Sequence, residues 1–157
     1  MKKIIIAVAL FLCAFLAPAQ VSVSSGNLGV DVKVKRAIAV GSDVYVDLVF
    51  TIGNSWKQLE IHTRNDMGEP GVRFYDDEGQ LYQSGSNETM QFDVDGKISY
   101  WYPKLIVEKN VPRKMRIIIK NVDEYATMFS SVRVPYLGEN DRNIYVITIK
   151  NLPITRQ

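Results

Sequence analysis

The chain has 157 residues, of which 46% are hydrophobic and 23% charged, with a formal net charge of +2. That length is enough for one hydrophobic core and too short to expect two. Lys2 and Lys3 account for the whole positive excess, so residues 20–157 are formally neutral and do not predict nucleic-acid binding, which needs a basic surface.

The N-terminal segment is typical of a secretory signal peptide. Lys2 and Lys3 precede an apolar run from Ile4 to Leu16, and Ala17-Pro18-Ala19 forms a small-x-small cleavage site. We therefore expect residues 1–19 to be removed and residues 20–157 to form one exported domain, periplasmic or extracellular. No later segment approaches the roughly 18 apolar residues of a membrane-spanning helix, so no membrane span is expected.

Cys13, the only cysteine, falls inside the predicted signal peptide. Lipid anchoring there is not expected, because Leu12 is bulky where lipoprotein cleavage requires a small residue. After cleavage the domain would have no disulfide, no thiolate nucleophile and no cysteine metal ligand, so its stability would come from an ordinary core. We predict no cofactor and no metal.

Apolar and polar residues alternate with a period of two along most of the chain, which indicates half-buried β-strands. The clearest case is DVYVDLVFTI, where Val44, Val46, Leu48, Phe50 and Ile52 share one face. The other predicted strands are Val30–Val40, Lys57–His62, Val72–Tyr75, Gln80–Gln83, Thr89–Val94, Lys97–Tyr102, Leu105–Val107, Lys114–Asn121, Met128–Val134 and Asn143–Asn151.

Short strands separated by turn residues predict an all-β, immunoglobulin-like antiparallel β-sandwich in a single domain. The apolar run Ile117-Ile118-Ile119 is typical of a central strand. Val122–Met128 is the best helical candidate, with at most one or two turns.

The segment VPRKMRIIIKNVDEYATMFSSVRVPY and the later IYVITIKNLPI resemble small secreted bacterial immunoglobulin-like β-sandwich domains of unknown function. In that group a Val-Pro leads into an apolar strand ending in Asn-Val, and the chain closes on a strand ending in Asn-x-Pro-Ile. The resemblance covers about the last two thirds of residues 20–157. It implies a fold and no particular activity. The Cys-Trp-Cys spacing of antibody domains is missing.

Asp76-Asp77-Glu78-Gly79 has two interpretations. Clustered carboxylates could bind a hard cation, but the spaced ligand pattern of a calcium loop is missing. A hairpin loop with Gly79 in the left-handed conformation also explains the glycine and the aromatic flanks, and we favour it. Asp95-Gly96 is likewise expected to be a two-residue hairpin turn.

Charges of opposite sign separate along the chain. Six acids and no base occupy Asp76–Asp95, whereas six bases and one acid occupy Lys104–Lys120. The two segments could pair as neighbouring strands, which we favour, or form opposite surfaces that orient a partner. Arg113, Lys114 and Arg116 are the candidate residues of such an interaction surface.

Tyr100-Trp101-Tyr102, followed by Pro103, is the strongest candidate ligand-binding site. On a strand Trp101 would face away from both tyrosines, so some aromatic surface must point outward. Exposed aromatic rings stack on sugars or anchor protein partners. The structural alternative places the tyrosines in the core and Trp101 on the rim.

Catalysis is not expected. His62 is the only histidine, and neither Gly-x-Ser-x-Gly nor Ser-x-x-Lys accompanies it. We interpret His62 as a strand-end residue and the sequon at Asn87 as unused. The sequence thus predicts a non-enzymatic binding module with a protein partner; the alternatives are a carbohydrate-binding module and, less favoured, a small hydrolase.

Overall fold

The computed structural model of the protein describes residues 20–64, 70–85 and 89–156. The predicted signal peptide, including Cys13, and the sequon residue Asn87 lie outside the described residues. Within them the chain forms strands and no helix. The strands are β1 (Ser22–Ser24), β2 (Val30–Val40), β3 (Asp43–Ile52), β4 (Gln58–Ile61), β5 (Arg73–Asp76), β6 (Leu81–Gln83), β7 (Met90–Val94), β8 (Lys97–Ser99), β9 (Lys104–Ile106), β10 (Arg113–Ile119), β11 (Met128–Gly138), β12 (Tyr145–Pro153) and β13 (Thr155–Arg156).

The strands form two sheets around one core. The seven-stranded sheet has the order β1-β12-β11-β4-β9, with β5 paired to β11 and β6 paired to β5. The six-stranded sheet has the order β13-β2-β3-β10-β7-β8. The strands pair antiparallel except β13, which runs parallel to β2. The protein is therefore an all-β sandwich, as the sequence predicts, while the immunoglobulin-like assignment stays a prediction.

The apolar residues that alternate with polar ones along the sequence fill the space between the sheets. Val44, Val46, Leu48, Phe50 and Ile52 of β3 are all fully buried. β10 lies between β3 and β7, so the apolar run at its end does belong to a central strand. Burial of such side chains is the main stabilising contribution to folding, about 1.5 to 3 kcal/mol for each large aliphatic residue.

β2 contains a bulge that the sequence analysis did not predict. Its pairing with β3 shifts register between Val34 and Arg36. Val32 is buried before the shift and Ala37 after it, so the strand changes phase by one residue. Lys35 and Arg36 are therefore both exposed on the outer face of the six-stranded sheet.

Two predicted elements were wrong. The segment 122–128 contains turns and the first residue of β11 instead of a helix. The strand predicted at 97–102 ends at Ser99, and the chain then bends through Tyr100 and Trp101. β1 and β13 were not predicted, because they are short, lack an apolar alternation and form by pairing with longer strands.

Candidate binding surface

The acidic loop is a hairpin turn between β5 and β6. The N–H of Gly79 donates to the carbonyl of Asp76 at 3.3 Å, and the φ angle of Gly79 is +86°. Gly79 thus has the left-handed conformation predicted from the sequence, which glycine adopts without steric cost. The hairpin interpretation is confirmed.

Asp76 is buried, and its carboxylate oxygens accept hydrogen bonds from inside the protein. One oxygen accepts the N–H of Gln80 at 2.8 Å, and the other accepts the hydroxyl of Tyr82 at 2.9 Å. Burial, together with the charge of Asp76, raises the pKa of Tyr82 to about 12, against the lowering effect of the Asp123 N–H. The tyrosine hydroxyl therefore stays protonated and continues to donate.

Asp77 ties the same hairpin to the turn before β11. Its carboxylate accepts the N–H of Thr127 at 3.0 Å, the hydroxyl of Thr127, and the N–H of Met128 at 3.3 Å. Burial alone would raise the pKa of Asp77, but these hydrogen bonds hold it below its ordinary value. Two of the three clustered acids are thus structural, and sequence analysis gave no sign of these partners.

The second predicted turn is also confirmed. Asp95 and Gly96 have φ angles of 54° and 79°, and β7 and β8 flank them with Val94 opposite Lys97. The Asp93 carboxylate accepts the N–H of Gly96 at 2.9 Å. This two-residue turn with positive φ at both positions fixes the register of the hairpin.

Only some of the oppositely charged residues of the two segments, among those the structure describes, form ion pairs with each other. Arg113 contacts Asp95 at 2.5 Å, which joins the basic segment to the acidic one. Arg116 instead contacts Asp47 of β3 at 2.6 Å, and Arg36 contacts the same carboxylate at 2.6 Å. The bases of the second segment therefore pair mostly with acids outside the first one.

Arg36, Asp47, Arg116 and Asp93 lie in register on four consecutive strands of the six-stranded sheet. The charges alternate in sign across this row, so each neighbouring pair is attractive. Burial would raise the pKa of Asp47, but hydrogen bonds and charges from Arg116 and Arg36 lower it overall. The row stabilises the sheet from its outer face.

The three candidate residues of the basic surface do not share one face. Lys114 and Arg116 line a groove of about 500 Å³ on the outer face of the six-stranded sheet, together with Lys35 and Arg36. Arg113 lies on the same side of β10 as the buried residues Met115 and Ile117, and its guanidinium contacts Asp95 at the end of the strand. The structure thus brings Lys114 and Arg116 together and separates Arg113 from them.

The aromatic triplet forms a bend between the two sheets. β8 is the last strand of one sheet and β9 the last strand of the other, so residues 100–103 cross from edge to edge. Trp101 is 44% exposed, whereas Tyr100 and Tyr102 are half-buried. The expected outward tryptophan is present, but a bend and not strand alternation exposes it.

Several contacts hold this bend in place. The Ser99 hydroxyl donates to the carbonyl of Trp101 at 2.9 Å, and Tyr102 N–H donates to the Thr63 hydroxyl at 3.1 Å. The guanidinium of Arg64 lies 4.5 Å from the centre of the Trp101 ring and 5.7 Å from that of Tyr102. These are cation–π distances, so the indole orientation is fixed from one side.

Tyr102 has a φ angle of +41°, in the left-handed region. The other non-glycine residues with positive φ among the described ones are aspartate and asparagine, which tolerate this region. For a bulky residue the conformation costs about 1 to 2 kcal/mol and persists only where surrounding contacts impose it. Such strain often accompanies a functional site.

Three exposed apolar side chains lie on this bend and on the two edge strands that it joins. Of the ten exposed large hydrophobic side chains among the described residues, Ile98, Trp101 and Ile106 lie within positions 97–106. Ile98 and Ile106 are 56% and 58% exposed. A groove of about 280 Å³ runs between the β7–β8 hairpin and β9; its walls include Lys97, Ser99, Tyr102, Lys104 and Ile106. We call positions 97–106 together with Arg64 the aromatic edge.

His62 follows the last residue of β4 and is only 1% exposed. Its position at a strand end is therefore confirmed. Its ring lies 5.7 Å from that of Tyr102, and its backbone N–H donates to the Pro135 carbonyl at 2.9 Å. A general base must reach its substrate, so this buried position does not favour the hydrolase hypothesis.

Within residues 20–64, 70–85 and 89–156 no group of three His, Cys, Asp or Glu side chains is placed to hold a metal ion. The same ranges contain no helix that is long and apolar enough to cross a membrane. No protein-family model matches the chain, and no curated protein is significantly similar to it.

Sequence analysis found the aromatic triplet but missed Arg64, Ile98 and Ile106 as parts of the same surface. Arg64 is distant in sequence and adjoins Trp101 only through the fold. Ile98 and Ile106 lie in predicted strands, but the sequence does not show which face of each strand turns outward. The strand order adds that both strands lie at sheet edges on either side of the bend.

Proposed function

We propose that the protein is an exported, non-enzymatic binding module whose partner is another protein, in the cell envelope or outside the cell. The observation that carries the proposal is the exposed Trp101 on a strained bend, held by Ser99, Thr63 and Arg64. Tryptophan is among the residues that most often supply the binding energy of protein interfaces.

The surroundings of Trp101 support a protein partner. Ile98 and Ile106 add exposed apolar side chains on the two edge strands that the bend joins, and Lys97 and Lys104 lie on the same strands. An apolar centre with a polar rim is the usual composition of a protein interface. Three exposed apolar side chains within ten residues at one edge of the sandwich are more typical of an interaction site than apolar side chains scattered singly.

Fixed geometry also favours binding. Because Ser99 and Thr63 already hydrogen-bond the backbone of the bend, a partner would not have to order it. Arg64 also contacts the Trp101 ring, which reduces the cost of about 0.5 to 1.5 kcal/mol for ordering such a side chain on association.

Carbohydrate binding is the second candidate, because a half-exposed indole can stack on a sugar ring. Arg64 lies over one face of the Trp101 ring, so a sugar would have to stack on the opposite face. A glycan array that gives signals with the parent protein and none with Trp101→Ala would favour this candidate over a protein partner.

Site-specific photo-cross-linking tests the proposal in the producing cells. A photoreactive phenylalanine analogue replaces Ile98 or Ile106 on the aromatic edge, and Tyr125 serves as the matched control. Tyr125 is 73% exposed but lies in the turn between β10 and β11. Mass spectrometry then identifies the cross-linked proteins.

We expect the same partner from both edge positions and not from Tyr125. Trp101→Ala in the Ile106-labelled protein should lower the yield of that product at least about tenfold, as expected for an interface hot spot. Equal yields from Tyr125 and the edge positions, or no cross-linked protein from the edge, would contradict the proposal.

A further inference from the structure

β9 has one side paired and one side open. The N–H of Ile61 donates to the carbonyl of Pro103 at 3.0 Å, and the N–H of Val107 donates to the carbonyl of Lys57 at 2.9 Å. In an antiparallel pair every second residue directs its backbone N–H and C=O toward the partner strand. Since the Pro103 carbonyl and the Val107 N–H do so, the backbone groups of Leu105 also point toward β4. Lys104 and Ile106 therefore direct their backbone N–H and C=O groups away from β4.

No strand follows β9 in the sheet formed by the described residues. The outward backbone groups of Lys104 and Ile106 accordingly join no strand pairing within that part of the chain. An outer strand in this state is a template for a further strand from another molecule.

The groove beside β9 follows the open side of the strand and is lined by apolar and basic side chains. Lys104 and Ile106 line it on one side, and Val94, Lys97 and Ser99 line it on the other. Asp95 is its one acid, and Arg113 already contacts that carboxylate at 2.5 Å. Lys97 is exposed and takes part in no ion pair of the described residues, so the groove complements an acidic segment.

We propose that the partner contributes an extended segment with apolar and acidic side chains, which adds to β9 as a further strand of the seven-stranded sheet. The backbone groups of Lys104 and Ile106 pair with this segment, Ile106 packs against an apolar side chain, and Lys97 pairs with an acidic one. This inference rests on the proposed function and names how the aromatic edge would bind its partner.

Two substitutions at one position isolate the backbone contribution. Ile106→Pro removes the outward N–H, and its ring is tolerated because that N–H makes no bond to β4. Ile106→Ala removes the same side chain but keeps the N–H. The difference between the two variants therefore reports on strand addition and not on the apolar contact.

The probe is a displayed library of random linear twelve-residue peptides, selected against the protein as isolated from the producing cells. We expect enriched peptides to combine acidic and apolar residues. Their affinity should fall at least about tenfold for Ile106→Pro relative to Ile106→Ala, since one or more backbone hydrogen bonds are lost.

Amide hydrogen exchange gives a measurement that needs no variant. Saturation with an enriched peptide should slow exchange of the Lys104 and Ile106 amides at least about tenfold, because they become hydrogen-bonded. This measurement decides the question if Ile106→Pro fails to fold. Unchanged exchange at both amides, equal affinity of the two folded variants, or failure to enrich any peptide would overturn strand addition.

The two proposals fail in different ways. If Trp101→Ala abolishes partner cross-linking while Ile106→Pro binds normally, the aromatic edge binds protein but not by strand addition. If cross-links arise from Tyr125 and not from Ile98 or Ile106, both proposals are wrong.

Discussion

The hairpin at Asp76–Gly79 and the aromatic edge both concentrate chemically versatile side chains, but the protein uses them in opposite ways. Asp76 is buried and Asp77 is exposed, but N–H and hydroxyl groups of the protein already donate to the carboxylate oxygens of both. Trp101, Ile98 and Ile106 direct apolar surface outward from two edge strands. A dense cluster of polar residues therefore indicates a site only if its hydrogen-bonding groups remain available.

The largest expected effect is on the hairpin side of this comparison. Asp76→Ala leaves the Tyr82 hydroxyl and the Gln80 N–H without their acceptor in the protein interior. We expect the free energy of unfolding to fall by about 2 to 4 kcal/mol, because the buried Tyr82 hydroxyl and the part-buried Gln80 N–H both lose a carboxylate acceptor. Chemical denaturation measures this change.

Asp76→Asn is the matched control, since it keeps one acceptor oxygen and the same shape. Its loss should be smaller than that of Asp76→Ala. A loss below about 0.5 kcal/mol for Asp76→Ala would contradict the structural role of Asp76, because surface substitutions have effects of that size. The acidic loop would then again be a candidate binding site.

The next effect concerns the three basic residues of β10, of which Arg116 belongs to the charged row on the outer face of the six-stranded sheet. Simultaneous charge reversal of Arg113, Lys114 and Arg116 places like charges opposite Asp47, Asp93 and Asp95. We expect the free energy of unfolding to fall by about 1 to 3 kcal/mol through lost pairs and new repulsion.

Lys114→Glu alone is the control for this reversal, because Lys114 lies opposite Val49 and not opposite an acid. Its effect on unfolding should stay within about 0.5 kcal/mol. If the triple variant melts like the parent but loses its partner, pairing is not the role of these residues, and the basic groove becomes an interaction surface.

A smaller effect is expected in the pH dependence of stability. The folded pKa of Asp77 lies below its unfolded value of 3.8, so its contribution is complete above that value. The contribution is lost as the pH falls through the lower folded pKa. In denaturation series at decreasing pH, the free energy of unfolding should therefore fall less steeply for Asp77→Asn than for the parent.

Parallel pH curves for Asp77→Asn and the parent would contradict this account of Asp77. The slope should not vanish in the variant, because the pKa of Asp47 is also lowered and Asp47 titrates in the same acidic range. Asp47 thus provides an internal reference for the size of the change.

Sequence periodicity was sufficient for most of the fold. The predicted strands and both hairpin turns are present, because alternation and Asp-Gly or Glu-Gly pairs are local signals. The bulge at Lys35 had a signal as well, namely two adjacent polar residues within an alternating strand. The strand order had none, because it depends on which strands meet after folding.

The candidate site was only partly predictable for the same reason. Tyr100-Trp101-Tyr102 suggested a strand because aromatic residues favour strands, but contacts from Thr63 and Arg64 stabilise a bend. The wrong helix at 122–128 has a similar cause, since Asp77 and Tyr82 bond to the backbone of that turn. Long-range hydrogen bonds overrode the local preference at both places.

The most direct test of the central claim measures partner binding and unfolding of Trp101→Ala in the same preparation. Trp101 is half-exposed and its ring contacts the Arg64 guanidinium, so the free energy of unfolding should change by no more than about 1 kcal/mol. Binding to the cross-linked partner should fall at least about tenfold. Normal binding, or a protein that no longer folds, would contradict the assignment of function to the aromatic edge.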